Sequence, residues 1–334
     1  MLLTSCASAY LLTIEVMEPA PLTLPPGIES LLFVNNTVNQ PRDVGIVRIF
    51  DNKAVENYEL NLDSISWIAI NALASEIEEA RVFDRVSFYR KLVRKDSGWI
   101  NNLPLSPELK DKFIEEQGFD AIISLDKILF TLDEQVKIQT PELSSYLPVY
   151  AIVRTGGGLR YSIYAREKDA PLFSGIITDS LLYQNSLYAD SVTILKELPE
   201  SLINELAYTL GQKMAYLILP SWTMQDRIIY RGNGARMLEA LSYAKTGKWD
   251  TSEILWLSEF EKKTKNRDRA LIANNIAVAN EMKDNLEVAL RWAEKAREYA
   301  VENSGEQSLF QDYVSGLQKR IQDDPLLNDQ TKNR

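Results

Sequence analysis

RMLEALSYAKTGKWDTSEILWLSEFEKKTKNRDRALIANNIAVANEMKDNLEVALRWAEKAREY, residues 236–299, reads as two helical pairs with the same punctuation. In the second pair Ala277, Ala289 and Ala296 fall at intervals of twelve and seven; in the first, Ala240, Ser252 and Glu259 keep those intervals thirty-seven positions upstream. Gly247-Lys248-Trp249 stands where the second pair has Asp284-Asn285-Leu286. Small residues at such places let two antiparallel helices close up, and a Gly or Asp followed two residues later by a bulky side chain turns the chain between them.

This pattern resembles a tetratricopeptide array, which implies stacked helical hairpins that perform no chemistry and offer a surface to partners. Ala240, Gly247, Trp249, Ala277, Ala289 and Ala296 are the expected packing positions. Trp256 and Trp292 are the expected partner-binding aromatics, since aromatics dominate the energy of interfaces, with a core role as the plainer reading of all three tryptophans. Such arrays need about three repeats to bury a continuous core. Two pairs and one further helix are visible, so the first domain is expected to supply the missing wall.

The chain has 334 residues, which suggests two domains, and its 45% hydrophobic and 25% charged residues are those of a folded protein. A net charge of −10 lacks the basic footprint of nucleic-acid binding and disfavours anionic lipid. Histidine is absent, which removes hydroxyl–His–carboxylate triads, Cys–His dyads and histidine-ligated metals. Neither a cofactor nor a metal site is expected, and no catalytic residue stands out.

Cys6 is the single cysteine, so no intramolecular disulfide forms. Leu3-Thr4-Ser5-Cys6 resembles a bacterial lipobox, in which the cysteine is lipidated and becomes the new N-terminus. A leader carries positive charge and an apolar segment ahead of such a box; only Met1-Leu2 precede this one, which leaves the true start open.

Residues 10–17 suit a first strand, ended by Glu18-Pro19-Ala20-Pro21, and Ile28 to Val34 suits a buried strand emptying into Asn35-Asn36-Thr37. The segment from Met17 to Asn36, MEPAPLTLPPGIESLLFVNN, is similar to the opening of a family of uncharacterised Bacteroidota lipoproteins. In that family a lipidated cysteine is followed by a strand, a proline-alanine-proline stretch, leucine-proline, and a strand ending in asparagine. The resemblance runs through most of the chain and implies an envelope address, with no activity attached. Asn36 stands where the family often has a basic residue.

Ile65, Ile68, Ala69, Ala72, Leu73, Ile77 and Ala80 make one helical stripe, with Asp63 or Ser64 to cap it. A strand is expected over 81–89, and Ser106-Pro107-Glu108 opens a second helix that Gly118 stops. The helix, turn and strand around Gly118-Phe119-Asp120-Ala121 loosely resemble, at fold level, the N-terminal domains of periplasmic assembly proteins. Asp120 reads as a turn residue supporting the backbone.

Val149 to Arg154 and Arg160 to Tyr164 read as the arms of a hairpin joined by Thr155-Gly156-Gly157-Gly158. A phosphate cradle would need a helix after the glycines, and here a strand follows. Another strand is expected over 172–178, then a long helix from Pro199 to Leu219 with Ile203, Leu206, Leu210 and Met214 inward. Residues 221–234 read as the domain junction, 307–322 as a closing helix and 326–334 as a frayed polar tail.

The expectation is therefore an α+β protein with four parts. Residues 1–9 are a signal remnant and tether, and 10–220 an α/β domain with an antiparallel hairpin region. Residues 221–325 are a helical repeat domain, and 326–334 a tail. Functionally it reads as an envelope lipoprotein that binds or assembles another envelope protein through its repeats and meets the membrane by the lipid alone. The alternative is a histidine-free hydrolase or glycan-active enzyme using paired carboxylates in the α/β domain.

Overall fold

The computed structural model describes residues 9–41, 44–54, 64–91, 93–94, 98–101, 103–138, 148–166, 170–188, 192–302 and 304–332. Cys6 and the proposed cap Asp63 lie outside them. The fold is α+β: sheets come first and helices follow. Ala20–Leu219 forms one unit, and the segments that flank it, up to Pro19 and from Pro220 to Lys332, form the other.

The α/β unit is organised by three long antiparallel strands, β6 (Ala121–Ile138), β7 (Pro148–Ala165) and β8 (Phe173–Tyr188). β6 is long enough to take two parallel neighbours in succession on its free side. Residues 121–125 pair with β2 (Ser30–Asn35), which also pairs in parallel with β5 (Arg85–Tyr89). Residues 132–136 pair with β3 (Ile46–Phe50), to which the short β4 (Lys53–Ala54) adds. All six residues of β2 are buried, as expected of a parallel strand covered on both faces.

Two helices cover one face of this sheet: α1 (Ile65–Ala80) and α3 (Val192–Ala215). α1 buries Ile65, Ala69, Ala72, Leu73 and Ile77 of the predicted stripe, while Ile68 is partly buried and Ala80, at the end of the helix, is exposed. α3 starts seven residues earlier than the sequence suggested and carries Pro199 inside it. Its Leu206 and Leu210 are fully buried and press onto Phe130 and the strand at Gly157.

That packing corrects the hairpin reading. Thr155 to Gly158 is not a turn but the middle of β7, paired on both sides without interruption. A Cβ on Gly157 would lie 2.8 Å from Phe130, 2.9 Å from Leu210 and 3.0 Å from Leu206. The glycine marks a close approach of helix to strand, the other reason for Gly inside a strand.

The second unit pairs β1 (Ala9–Glu18) with β9 (Ser221–Tyr230) in an antiparallel ribbon, from Ala9 opposite Tyr230 to Glu18 opposite Ser221. Two points differ from the sequence reading: residues up to Pro19 group with the helices rather than with the α/β unit, and residues 221–230 of the expected junction form a strand. Five helices follow: α4 (Ala235–Lys245), α5 (Trp249–Lys262), α6 (Asn266–Glu281), α7 (Leu286–Tyr299) and α8 (Gly305–Lys332). α8 continues through the residues expected to fray, with Gln330 buried near its end.

α6 is buried from Ala270 to Glu281 without a gap, because the ribbon lies against it as well as its helical neighbours. Asn275 grips β9 as another strand would, accepting from the Tyr230 amide at 2.8 Å and donating to the Tyr230 carbonyl at 2.7 Å. Asn274 donates to the Ile228 carbonyl at 2.6 Å. At the end of α6 the buried Glu281 carboxylate accepts two hydrogen bonds from Arg227 of β9, at 2.7 and 2.8 Å. It accepts two more, from Tyr313 at 2.7 Å and Arg320 at 2.6 Å, both on α8. Burial alone would raise the Glu281 carboxyl, but its bonds to Arg227 and the charges around it outweigh that and hold it below the ordinary glutamate range.

Candidate functional site

The outer face of the β6–β7–β8 sheet, opposite α1 and α3, is divided into a covered half and an open one. Near β2, Leu32, Val34, Ile122 and Tyr164 pack under Val93, Leu105, Phe113, Ile114 and Phe119. The cover comes from α2 (Pro107–Asp111), which Ser106 caps through the Leu109 amide, and from the π turn Lys112–Glu116 that continues it. Further along, Leu129, Ile176 and Leu182 are 38%, 58% and 62% exposed on the same face.

The open half holds a trough of about 450 Å³. Register places Leu129 and Thr131 of β6 opposite Gly158 and Gly156, and these opposite Thr178 and Ser180 of β8. The two glycines leave a floor without side chains, flanked by Leu129 and Thr131 on one side and by Ile176 and Thr178 on the other. At one end Lys127 stands directly opposite Arg160, and Arg160 opposite Ile176. The Lys127 ammonium lies 4.5 Å from the centre of the Trp99 ring and donates to the Ile100 carbonyl at 3.3 Å. Trp99 in turn reaches the Ile128 carbonyl at 3.5 Å.

Where the two halves meet, Asp126 is the extra residue of a β-bulge between Leu125 and Lys127. It is 3% exposed and accepts hydrogen bonds from Ser124 and Ser162, each at 2.6 Å, and from Asn36 at 3.0 Å. Burial pushes its carboxyl above the ordinary aspartate range, and the hydroxyl and amide donors with the Arg160 charge only partly offset this. Asn36 also donates to the Leu103 carbonyl, and the Leu105 amide donates to Tyr164, so the same cluster ties residues 103–105 to the sheet. Asp126 thus fixes the bulge that sets Lys127 across from Arg160, and it does not meet solvent.

The trough lining includes one carboxylate, Asp179, held 2.8 Å from the Lys213 ammonium, which lowers its carboxyl first by hydrogen bonding. Asp120 acts on the backbone, accepting from the Ser30 amide at 2.9 Å and the Ser30 hydroxyl at 2.6 Å. Among the described residues no group of three or more His, Cys, Asp or Glu could hold a metal ion, and no helix is long and apolar enough to cross a membrane. The arrangement offers surface and charge for binding.

Residues 28–230 match the family model described as a domain of unknown function, DUF8603. The chain belongs to that family. The DUF8603 match takes in the whole trough and runs on through β9, and residues 238–319 match a second domain of unknown function, DUF6340. No curated protein matches the sequence. Among solved structures, a minor lipoprotein from Acinetobacter baumannii is similar at 10% identity, over 57% of this chain and 90% of that one, with a TM-score of 0.25. A hypothetical protein from Chlamydia trachomatis is similar at 12% identity, over 57% and 98%, with a TM-score of 0.26. Likeness at such scores carries no argument about this chain.

Within the DUF6340 segment, Ala240, Ala277, Ala289 and Ala296 are fully buried. Gly247 turns the chain at φ 75° between α4 and α5. Trp249 is partly buried against the helical core. Trp256 corrects its assignment as a partner-binding residue: it is 0% exposed, with its indole N–H unpaired, and no partner could reach it. Trp292 is half-buried, edge-on to Phe260 at 5.1 Å, with Lys295 4.1 Å from its ring centre. The face of α6 that an array would offer to a partner carries the chain's own ribbon instead.

Of the trough residues the sequence singled out only Gly156 to Gly158, as a turn, and the trough itself went unnoticed. One signal was present: Asp126-Lys127 interrupts the apolar run AIISLDKILF of residues 121–130, and a polar pair inside a central strand is how a bulge announces itself.

Proposed function

We propose that this protein is a lipid-anchored component of a Gram-negative cell envelope that works by binding, with the open face of β6, β7 and β8 as its ligand surface. The observation that carries the reading is the trough itself: a glycine floor, the exposed Leu129 and Ile176 beside it and two cations at one end, in a chain without histidine. The paired carboxylates that the enzymatic alternative requires are not supplied by the trough lining, where Asp179 is the single acid and is engaged by Lys213. The address rests on the lipobox-like Leu3-Thr4-Ser5-Cys6 and on the resemblance to Bacteroidota lipoproteins. The helical repeats enter as the body that carries the tether, since their α6 face holds the ribbon, and a partner envelope protein would meet them on faces turned away from it.

Two experiments test the reading. Labelling of the full-length protein in its host with a fatty-acid analogue is expected to disappear in Cys6→Ala; equal labelling removes the anchor. A photo-crosslinker at Ile176 is expected to capture a ligand or partner in the native envelope that one at Val301, exposed in the other unit, does not. Identical capture from both positions removes the trough as the binding surface.

A further inference from the structure

We propose that the trough binds a single extended acyl chain with an anionic head, the head at Lys127 and Arg160 and the chain along Gly158 and Gly156 between Leu129 and Ile176. This rests on the trough being the binding surface and names the ligand class it takes.

Charge is the first argument. Lys127 and Arg160 face one another directly across β6 and β7, an arrangement that destabilises a sheet when the charges are alike. Among the described residues neither forms an ion pair. Asp126, on which Arg160 acts electrostatically, is buried with both oxygens already bonded. An ammonium has three donors and Lys127 uses one on Ile100, so donors remain on both cations for a carboxylate or phosphate. An anionic head turns their mutual repulsion into attraction.

Shape is the second. The volume of about 450 Å³ falls in the range of about 300–1,000 Å³ typical of small-molecule sites. From Lys127 to Thr131 the trough follows β6 for four residues, about 14 Å at roughly 3.4 Å each. That is a largely apolar slot with its unpaired charge at one end, Asp179 being neutralised by Lys213, the outline of a medium-length fatty acid.

Backbone satisfaction is the third, and it selects an acyl chain over a peptide. β6, β7 and β8 pair in continuous register here, so the β7 amides and carbonyls beneath the trough lie in the sheet plane and are spent on β6 and β8. A peptide lying on that face would desolvate its own backbone groups without finding partners, a cost an acyl chain does not carry. A peptide strand would instead add to the outer edge of β8, which no strand pairs among the described residues.

The test is calorimetric titration of the full chain, Cys6 unacylated, with dodecanoate, dodecyl phosphate and dodecanol, each below its micelle concentration, and with acetate and inorganic phosphate alone. Both anionic amphiphiles are expected to saturate one site, dodecanol to bind about tenfold or more weakly, and the bare anions not to bind measurably. The double variant Lys127→Gln, Arg160→Gln is expected to lose that tenfold for the amphiphiles and to leave dodecanol unchanged. Gly158→Val has room for its Cβ, 3.6 Å from the Thr178 methyl, and is expected to fill the floor and abolish binding of all three while melting as the wild type does. Uptake that never saturates, equal affinity for dodecanol and dodecanoate, or unaltered binding by Gly158→Val overturns the proposal. So does an apolar strand peptide that saturates the trough when the amphiphiles do not. Such failures leave the cross-linking result at Ile176 standing, since that experiment does not presuppose the ligand.

Discussion

Gly211 of α3 offers a substitution whose sign depends on the structure. By helix propensity alone Gly211→Ala stabilises by about 1 kcal/mol. A Cβ built there lies 2.2 Å from the Ala69 carbonyl oxygen of α1, with the Ala72 Cβ at 2.9 Å. Real Cβ atoms keep at least 3.0 Å, so α1 and α3 must part by close to an ångström. The obstacle is backbone, and no side-chain rotation relieves it. Overpacking of this kind costs about 1–3 kcal/mol, and the upper part of that range less the propensity gain leaves a net loss of about 1–2 kcal/mol. For a unit of this size that is a fall in melting temperature of about 2–8 °C. Gly316→Ala in α8 is the internal comparison: a Cβ there meets nothing within 4 Å, so propensity acts unopposed and stability should rise by up to about 1 kcal/mol. Scanning calorimetry of both variants reads the two signs. An increase for Gly211→Ala as well would refute the close crossing of α1 and α3.

Further expectations concern buried polar groups. Glu281→Gln leaves Arg227 and Arg320 without their counter-charge and should cost about 3–5 kcal/mol, seen as a lower urea midpoint for the helical unit. Because the folded Glu281 carboxyl is depressed, its contribution is complete above the unfolded value of about 4.3 and is lost as pH falls through the folded one; the difference between wild type and Glu281→Gln should shrink with acidification. Asp126 runs the other way. Its folded carboxyl is raised, so wild type gains most over Asp126→Asn below about pH 3.9 and loses ground as pH climbs through the folded value, which melting curves across that window will check. Asn275→Ala orphans the Tyr230 amide and carbonyl at about 1–3 kcal/mol each, and hydrogen exchange at Tyr230 should accelerate ahead of exchange in α6.

Local pattern was enough to read the elements that bury one face. The stripe on α1 up to Ile77 and the inward leucines of α3 are buried as their period predicts, and Ala240, Ala277, Ala289 and Ala296 are buried as well. What pattern missed depends on partners distant in sequence. The glycines of β7 look like a turn until Leu206 and Leu210, some fifty residues on, are laid across Gly157. β9 looks like a domain junction because its strand partner lies more than two hundred residues earlier. Trp256 looked available to a partner because aromatic content says nothing about which side of a helix is later covered. The trough was illegible for the same reason, since Lys127, Gly158 and Ile176 come from three strands and share a face only after pairing.

The ribbon also sets a timetable for synthesis. β1 is translated before the α/β unit, yet its mate β9 emerges only after all of Ala20–Leu219 has been translated, and the side chains that lock β9 in place, Asn275, Glu281 and Tyr313, come later still. The α/β unit is an insertion between the two strands of the ribbon. A chain cut short before β9 would therefore carry β1 without its strand partner, and any quality-control step that senses such a strand would be reading whether translation had passed Tyr230.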